Sequence, residues 1–246
     1  MKILGVIPCR MNASRLPGKP LLKLLGRPLI QHVYEGVQTS KKIDQFIVAT
    51  DSQNIIDCVR SFGGQAVLTS SSHNTGTERV AEVAEKLAEY DIILNIQGDE
   101  PLVTGEMVDQ LATPLVENPG IHMTALKGRI TNQEELHDPS IIKVVTDKND
   151  CAIYFSRHPI PYPRNRTDHY YRNKGVYGFR RSFILEFKDL PRGPLELAES
   201  LEQLRAIEYG KQIFVSETKT ETHGVNTPED IPIVEKALRS KQLSNG

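Results

Sequence analysis

Arg10, Arg15 and Lys19 stand in one eleven-residue segment, RMNASRLPGKP, with no acidic residue among them. Cations so close in sequence repel one another unless an anion answers them. Pro17, Gly18 and Pro20 shape the stretch into a turn rather than a helix. A strand expected from Lys2 to Pro8 leads straight into this turn, and ligands of open α/β sheets bind beyond the carboxyl ends of the strands. The loop is therefore expected to hold the phosphates of a nucleotide; the alternative is a solvated loop with three ordinary basic residues.

A carboxylate supplies the second half of the chemistry. Asp99 leaves an apolar run in NIQGDEP, next to Gly98 and shortly before Pro101. Taken alone it reads as an Asp opening a turn. In a parallel sheet, however, the carboxyl ends of the first and fourth strands open on the same edge, which would bring Asp99 to face Arg10 and Lys19. Cations for phosphate and a carboxylate for Mg²⁺ make a nucleoside triphosphate site. A third segment, SSHNTGTERV, enters a helix: Thr77 is expected to be its N-cap, Glu78 lies in its first turn, and Gly76 lets the backbone approach a ligand. Without a ligand, Thr77 only caps and Arg79 is solvated.

The elements that must position these groups alternate. Apolar runs KILGVIP, QFIVAT, AVLT and DIILNI are each followed by a helical pattern: Pro28 to Ser40, Ser52 to Phe62, Thr77 to Tyr90 and Thr104 to Glu117. Strands apolar on both faces, separated by amphipathic helices, predict an α/β fold with a doubly wound, mostly parallel sheet. After Pro119 the strands come closer together, HMTALKGRI, IIKVVTD, CAIYFS and GVYGF, and residues 120–180 read as a strand-rich insertion within a single domain spanning 1–246. The prolines of PIPYP predict an extended surface loop. A helix over about Leu197 to Tyr209, the strand IFVSET and a helix over Pro228 to Arg239 complete the pattern.

Composition narrows the partners. Thirty basic residues against thirty-one acidic ones leave a formal charge of −1, so a broad nucleic-acid surface is not expected. Three cysteines without CxxC or metal-ligand spacing fit a reducing cytosol. Cys9 has no His close in sequence to activate it and is expected to fill space at the strand end without chemistry. MKILGVIPCR is too short an apolar start for a signal peptide, and no segment is long enough to span a bilayer, which points to the cytoplasm and no membrane insertion.

RMNASRLPGKP, SHNTGTERVAEV, NIQGDEP, IIKVV with YFSR, GVYGF and SLEQLR occur in this order across nearly the whole chain. Together they resemble the cytidylyltransferases that activate 3-deoxy-manno-octulosonate (Kdo), whose fold is nucleotide-diphospho-sugar transferase-like. The resemblance implies that CTP and Kdo, a 2-keto sugar acid, give CMP-Kdo and pyrophosphate with Mg²⁺, in a homodimer, for lipopolysaccharide or capsule synthesis. It implies catalytic roles for Arg10, Arg15, Lys19 and Asp99. The nucleotide would be lined by Pro8, Cys9, Arg10, Ser14 and Lys19, by His73, Gly76 and Thr77, and by Gln97 and Asp99. The sugar acid would meet Gln97, Arg157, Asn173, Tyr177, Glu202 and Gln203, an Arg suiting a carboxylate and the others hydroxyls. Read without the family, Tyr177 is a core residue and Glu202 with Arg205 a solvated helix pair.

The chain departs from the family pattern in two places. Asn173 stands where a His is usual, and Asn226 where VDTPED would put a second metal-ligating Asp. An amide oxygen still coordinates Mg²⁺ but adds no charge; His169 or Arg172 are candidates to cover for the His. Thr227, Pro228 and Asp230 follow helix-start logic of their own. The departures keep two other readings open: a cytidylyltransferase for an amino-Kdo or another 2-keto sugar acid, and a nucleotide-binding protein with impaired catalysis. A nucleotide-sugar glycosyltransferase would show a DxD pair, and only QGDE is present.

Overall fold

The computed structural model describes residues 1–11, 16–165 and 167–244, with side chains described to residue 241. Two expected site residues, Ser14 and Arg15, lie outside the described residues.

β1 (Ile3–Cys9) is the central strand, and its residues alternate between two cores. Ile3, Ile7 and Cys9 enter one core, Leu4 and Val6 the other, as a period of two requires. β4 (Gln45–Thr50) and β6 (Ile92–Asn95) pair with β1 in parallel on either side. A short hairpin, β2 (Lys23–Leu24) and β3 (Arg27–Pro28), precedes α1 (Leu29–Val37). α2 (Gln53–Ser61) leads to β5 (Ala66–Leu68), which pairs with β4. α1, α2 and α4 (Gly105–Glu117) cover the Ile3 face, while α3 (Gly76–Lys86) covers the Leu4 face. This is the two-sided burial that the apolar runs predict, and each fully buried Leu, Ile or Val contributes about 1.5–3 kcal/mol against exposure.

The second half completes the sheet. β7 (Met123–Arg129) and β11 (Ile213–Glu217) pair in parallel, and β10 (Tyr171–Arg180) runs antiparallel between β7 and β6. The order is β11-β7-β10-β6-β1-β4-β5. In β10 the register shifts between Asn173 and Tyr177, where Gly175 takes a φ of 71° that a side chain would strain. Beyond that bulge β10 also touches β8 (Lys143–Thr146), which pairs with β9 (Ala152–Ser156) off the main path. Of the strand-rich stretch 120–180, β7 and β10 thus lie within the main sheet. Residues 158–165 form an extended loop with Tyr162 exposed.

Several expectations are corrected. α3 is capped by Thr75, whose side chain accepts from the Glu78 amide at 3.2 Å, and Thr77 is buried instead. The single helix expected over Leu197 to Tyr209 is two, α7 (Pro194–Glu199) and α8 (Gln203–Glu208), parted at Ser200 with φ 52° and ψ 48°. The sequence reading missed α5 (Gln133–His137) and α6 (Arg181–Asp189). α6 packs Phe183, Ile184 and Phe187 under the sheet, but it follows β10 with no turn signal between them. α9 (Asp230–Ser244) closes the chain, with the amides of Asn226 and Thr227 each donating to Asp230 at 2.8 Å.

Candidate active site

β1 and β6 end side by side, and Gly98 makes their close approach possible. A Cβ at that position would lie 2.4 Å from the Cys9 Sγ and 2.9 Å from the Pro8 carbonyl oxygen. The chain then turns so that Asp99 faces the residues after β1. Gly18, at φ 72°, opens the one-turn helix Lys19–Leu21 on the other side. Lys19 Nζ donates to Asp99 Oδ2 at 2.6 Å and to Asn226 Oδ1 at 3.4 Å. Three segments distant in sequence therefore meet at one ammonium group, and the Val225 amide bonded to the Asp99 carbonyl at 2.9 Å ties two of them together.

A cleft of about 400 Å³ opens above this contact. Pro8, Cys9, Arg10 and Lys19 line one wall, His73 and Gly76 another, and Gln97, Asp99 and Asn226 a third. Arg10 is exposed at the cleft. Cys9 is buried, and burial, reinforced by Asp99, pushes its thiol far up, so it is no nucleophile. Thr77 does not reach the cleft. It accepts from Asn95 Nδ2 at 3.1 Å and donates to Glu202 at 2.6 Å, while Thr75 donates to the other Glu202 oxygen at 3.1 Å.

The expected sugar-binding residues divide. Arg157 and Asn173 line a second cavity of about 940 Å³, which shares Asn226 with the cleft. The Arg157 guanidinium is engaged by the carbonyl oxygens of Glu199 at 2.7 Å, Pro139 at 3.0 Å and Ser200 at 3.4 Å. Gln97 is in the cleft, with its Nε2 3.5 Å from Asn95 Oδ1. Tyr177, Glu202 and Gln203 line neither space. Tyr177 accepts from Asn173 Nδ2 at 2.6 Å, and burial raises the Glu202 carboxyl despite the hydroxyls of Thr77 and Thr75. Arg205 is no solvated partner of Glu202: it is buried and doubly bonded to Glu196, at 2.7 Å for each contact. His169 is exposed beside Asp168, and Arg172 bonds Glu221 and the Thr222 carbonyl, each at 2.9 Å.

Two residues escaped the sequence reading. Arg79 is buried in the cleft wall, held by Asp51 at 3.0 Å and by Thr69, and so brings a further cation to the site. In sequence its place in the first turn of α3 reads as that of a solvated Arg. Glu100 lines the second cavity, and burial, with Asp99 beside it, pushes its carboxyl up to about 8 against the pull of Arg172, Lys174 and Lys19.

Asp99 and Asn226 are the residues that could hold a divalent cation. A carboxylate and an amide oxygen already converge on the single ammonium of Lys19. That donor set fits Mg²⁺, which takes oxygen ligands and completes its shell with phosphate and water.

A doubly wound sheet with a cationic and carboxylate cleft beyond its central strand ends defines a nucleotide-handling α/β protein. Comparison with known proteins takes this further. The sequence profile of the cytidylyltransferase family matches residues 4–213. A 3-deoxy-manno-octulosonate cytidylyltransferase of Fusobacterium nucleatum is 46% identical over 244 residues, covering 99% of each chain. The enzyme of the same name from Geobacter sulfurreducens is 43% identical over 251 residues, covering 97% of this chain and 100% of its own. A solved CMP:2-keto-3-deoxy-manno-octonic acid synthetase complexed with CTP superposes with a TM-score of 0.93 at 39% identity, covering 98% of this chain and 100% of its own. A 4-diphosphocytidyl-2C-methyl-D-erythritol synthase of Anaerococcus prevotii shares the fold, with a TM-score of 0.66 at 15% identity and coverage of 97% and 99%. The chain belongs to the cytidylyltransferase family, within its 3-deoxy-manno-octulosonate branch.

Proposed function

We propose that this protein transfers the cytidylyl group of CTP to Kdo, releasing pyrophosphate. The carrying observation is the meeting of Lys19, Asp99 and Asn226 beyond the ends of β1 and β6. Attack of the sugar's anomeric hydroxyl on the α-phosphate needs positioning and charge neutralisation more than covalent catalysis. Arg10 and Lys19 hold the triphosphate and steady the charge on the departing pyrophosphate. Arg15 joins them by family resemblance, and Arg79, fixed by Asp51, adds positive potential to the wall. When bound at Asp99 and Asn226, Mg²⁺ would neutralise phosphate charge. Gln97 reads the ligand from the cleft wall it shares with Asp99.

The same reading includes a homodimer in the cytoplasm and a product destined for lipopolysaccharide or capsule. These extensions rest on the family resemblance, while the names of the relatives attest the sugar acid alone. No helix among the described residues is long and apolar enough to cross a membrane. The test is pyrophosphate release with CTP, Kdo and Mg²⁺ each left out in turn. Release is expected only when all are present, and tight CTP binding with no Kdo-dependent release sinks the proposal.

A further inference from the structure

The Asp230 carboxylate is bonded to the segment ahead of α9 more fully than a helix start requires. Its Oδ2 accepts from the amides of Asn226 and Thr227, each at 2.8 Å, and from the Thr227 hydroxyl at 3.3 Å, while its Oδ1 accepts from His223 Nε2 at 2.7 Å. A capping box explains the Thr227 amide, since a carboxylate three residues past the cap reaches back to the cap's own N–H. It calls neither for the Asn226 amide nor for His223. Those two bonds order the chain before the helix, and that chain carries Asn226, whose Oδ1 stands 3.4 Å from the Lys19 ammonium. The same stretch is tied on its other side: Val225 is buried in the core, and its amide donates to the Asp99 carbonyl at 2.9 Å. The Asn226 backbone is thus fixed between Asp99 and Asp230.

Chemistry says why fixing it matters. Asn226 offers a divalent cation an amide oxygen without net charge, whereas Asp99 offers a full one. Mg²⁺ demands a near-ideal octahedron with ligands at about 2.0–2.1 Å, so a neutral oxygen contributes only where it already stands in place. Partners that orient a metal ligand are worth about 10–100-fold in metal affinity. We infer that Asp230, braced by His223, is a positioning residue of the candidate metal site: it sets the Asn226 backbone so that the amide oxygen is presented together with Asp99. The inference rests on the proposed cytidylyl transfer with Mg²⁺ at Asp99 and Asn226, and adds a residue that acts only through Asn226.

The test measures the Kd of CTP by titration calorimetry without sugar acid, once in EDTA and once with Mn²⁺, so that the ratio reads the metal's contribution. Asp230→Ala should cut that ratio by about tenfold or more and leave binding in EDTA unmoved. Asp230→Asn, which keeps an acceptor, should recover part of the loss, and His223→Ala should lower the ratio by a smaller factor. Asp230→Ala made on top of Asn226→Ala should cost nothing more, because residues acting as a unit are not additive. An unchanged ratio in folded Asp230→Ala overturns the inference, as does equal weakening with and without metal, the mark of a structural role. The same loss with or without Asn226 overturns it too, since Asp230 would then act by its charge alone. Should Asp230→Ala not fold, His223→Ala and its pairing with Asn226→Ala decide by the same criteria. A ratio that survives Asn226→Ala removes Asn226 from the metal site and the inference with it, while cytidylyl transfer is judged separately by pyrophosphate release. A wild type that binds no CTP brings down the proposed function and the inference together.

Discussion

At the scale of single residues, the site is organised by charge. Lys19 and Asp99 are partly exposed, with side-chain exposures of 13% and 29%, so their removal should leave the core alone. Asp99→Ala is expected to lower kcat by about 100-fold or more, with Tm within a few degrees of the wild type; unfolding instead of inactivation would mean that the carboxylate is structural. Asn226 offers an oxygen without a charge. Asn226→Asp should therefore shift the Mg²⁺ dependence of pyrophosphate release to lower metal concentration, and an unmoved titration would take Asn226 out of the metal site. Arg10, Lys19 and Asp99 were legible in the sequence because their residue types and the Gly and Pro beside them already constrain the chemistry. Arg79 and Glu100 were not. Their roles come from burial, and burial depends on which helix and strand are packed over them.

At the scale of elements, local signals decide what was readable. The βα repeat of the first half has long amphipathic helices and turn residues between elements, and the structure follows it. The second half does not punctuate itself so clearly: α6 begins at Arg181, the residue after β10 ends. The split of α7 from α8 turns on Ser200, a non-glycine residue in left-handed backbone. Ser200→Gly should relieve that conformation and stabilise the fold by about 0.5–1 kcal/mol, visible as a small rise in Tm; a loss of stability would show that the Ser side chain supports the break.

The middle of α3 is latched to the preceding loop by Glu82, which accepts from the Ser70 amide at 2.9 Å and pairs with Lys86 and His73. Burial opposes the Glu82 charge, but these bonds outweigh it and lower the carboxyl from 4.5 to about 2. A carboxyl lowered in the folded state stabilises above its unfolded value, and that contribution fades as pH falls from about 4.5 towards 2. Stability measured across that window should fall less steeply in Glu82→Gln than in the wild type, and equal slopes would show that the latch does not carry charge.

At the scale of the molecule, the sheet order brings distant segments together. β1 and β6 are neighbours in parallel, so the residues that follow them share one edge, and the segment before α9 closes over it. The sequence pattern foretold that edge, because parallel pairing alone fixes where strand ends open. It could not place β10 between β6 and β7, since one antiparallel strand inside a parallel sheet leaves no mark in hydropathy. The central claim is that the phosphates of CTP lie in the cleft between Lys19 and Asp99. A crystal structure of the protein with CTP and Mg²⁺ tests it most directly. The triphosphate should be in contact with Lys19 and Arg10, and the metal with Asp99 and Asn226; a nucleotide bound elsewhere, with the Lys19 to Asp99 contact intact and no ion beside it, would contradict it.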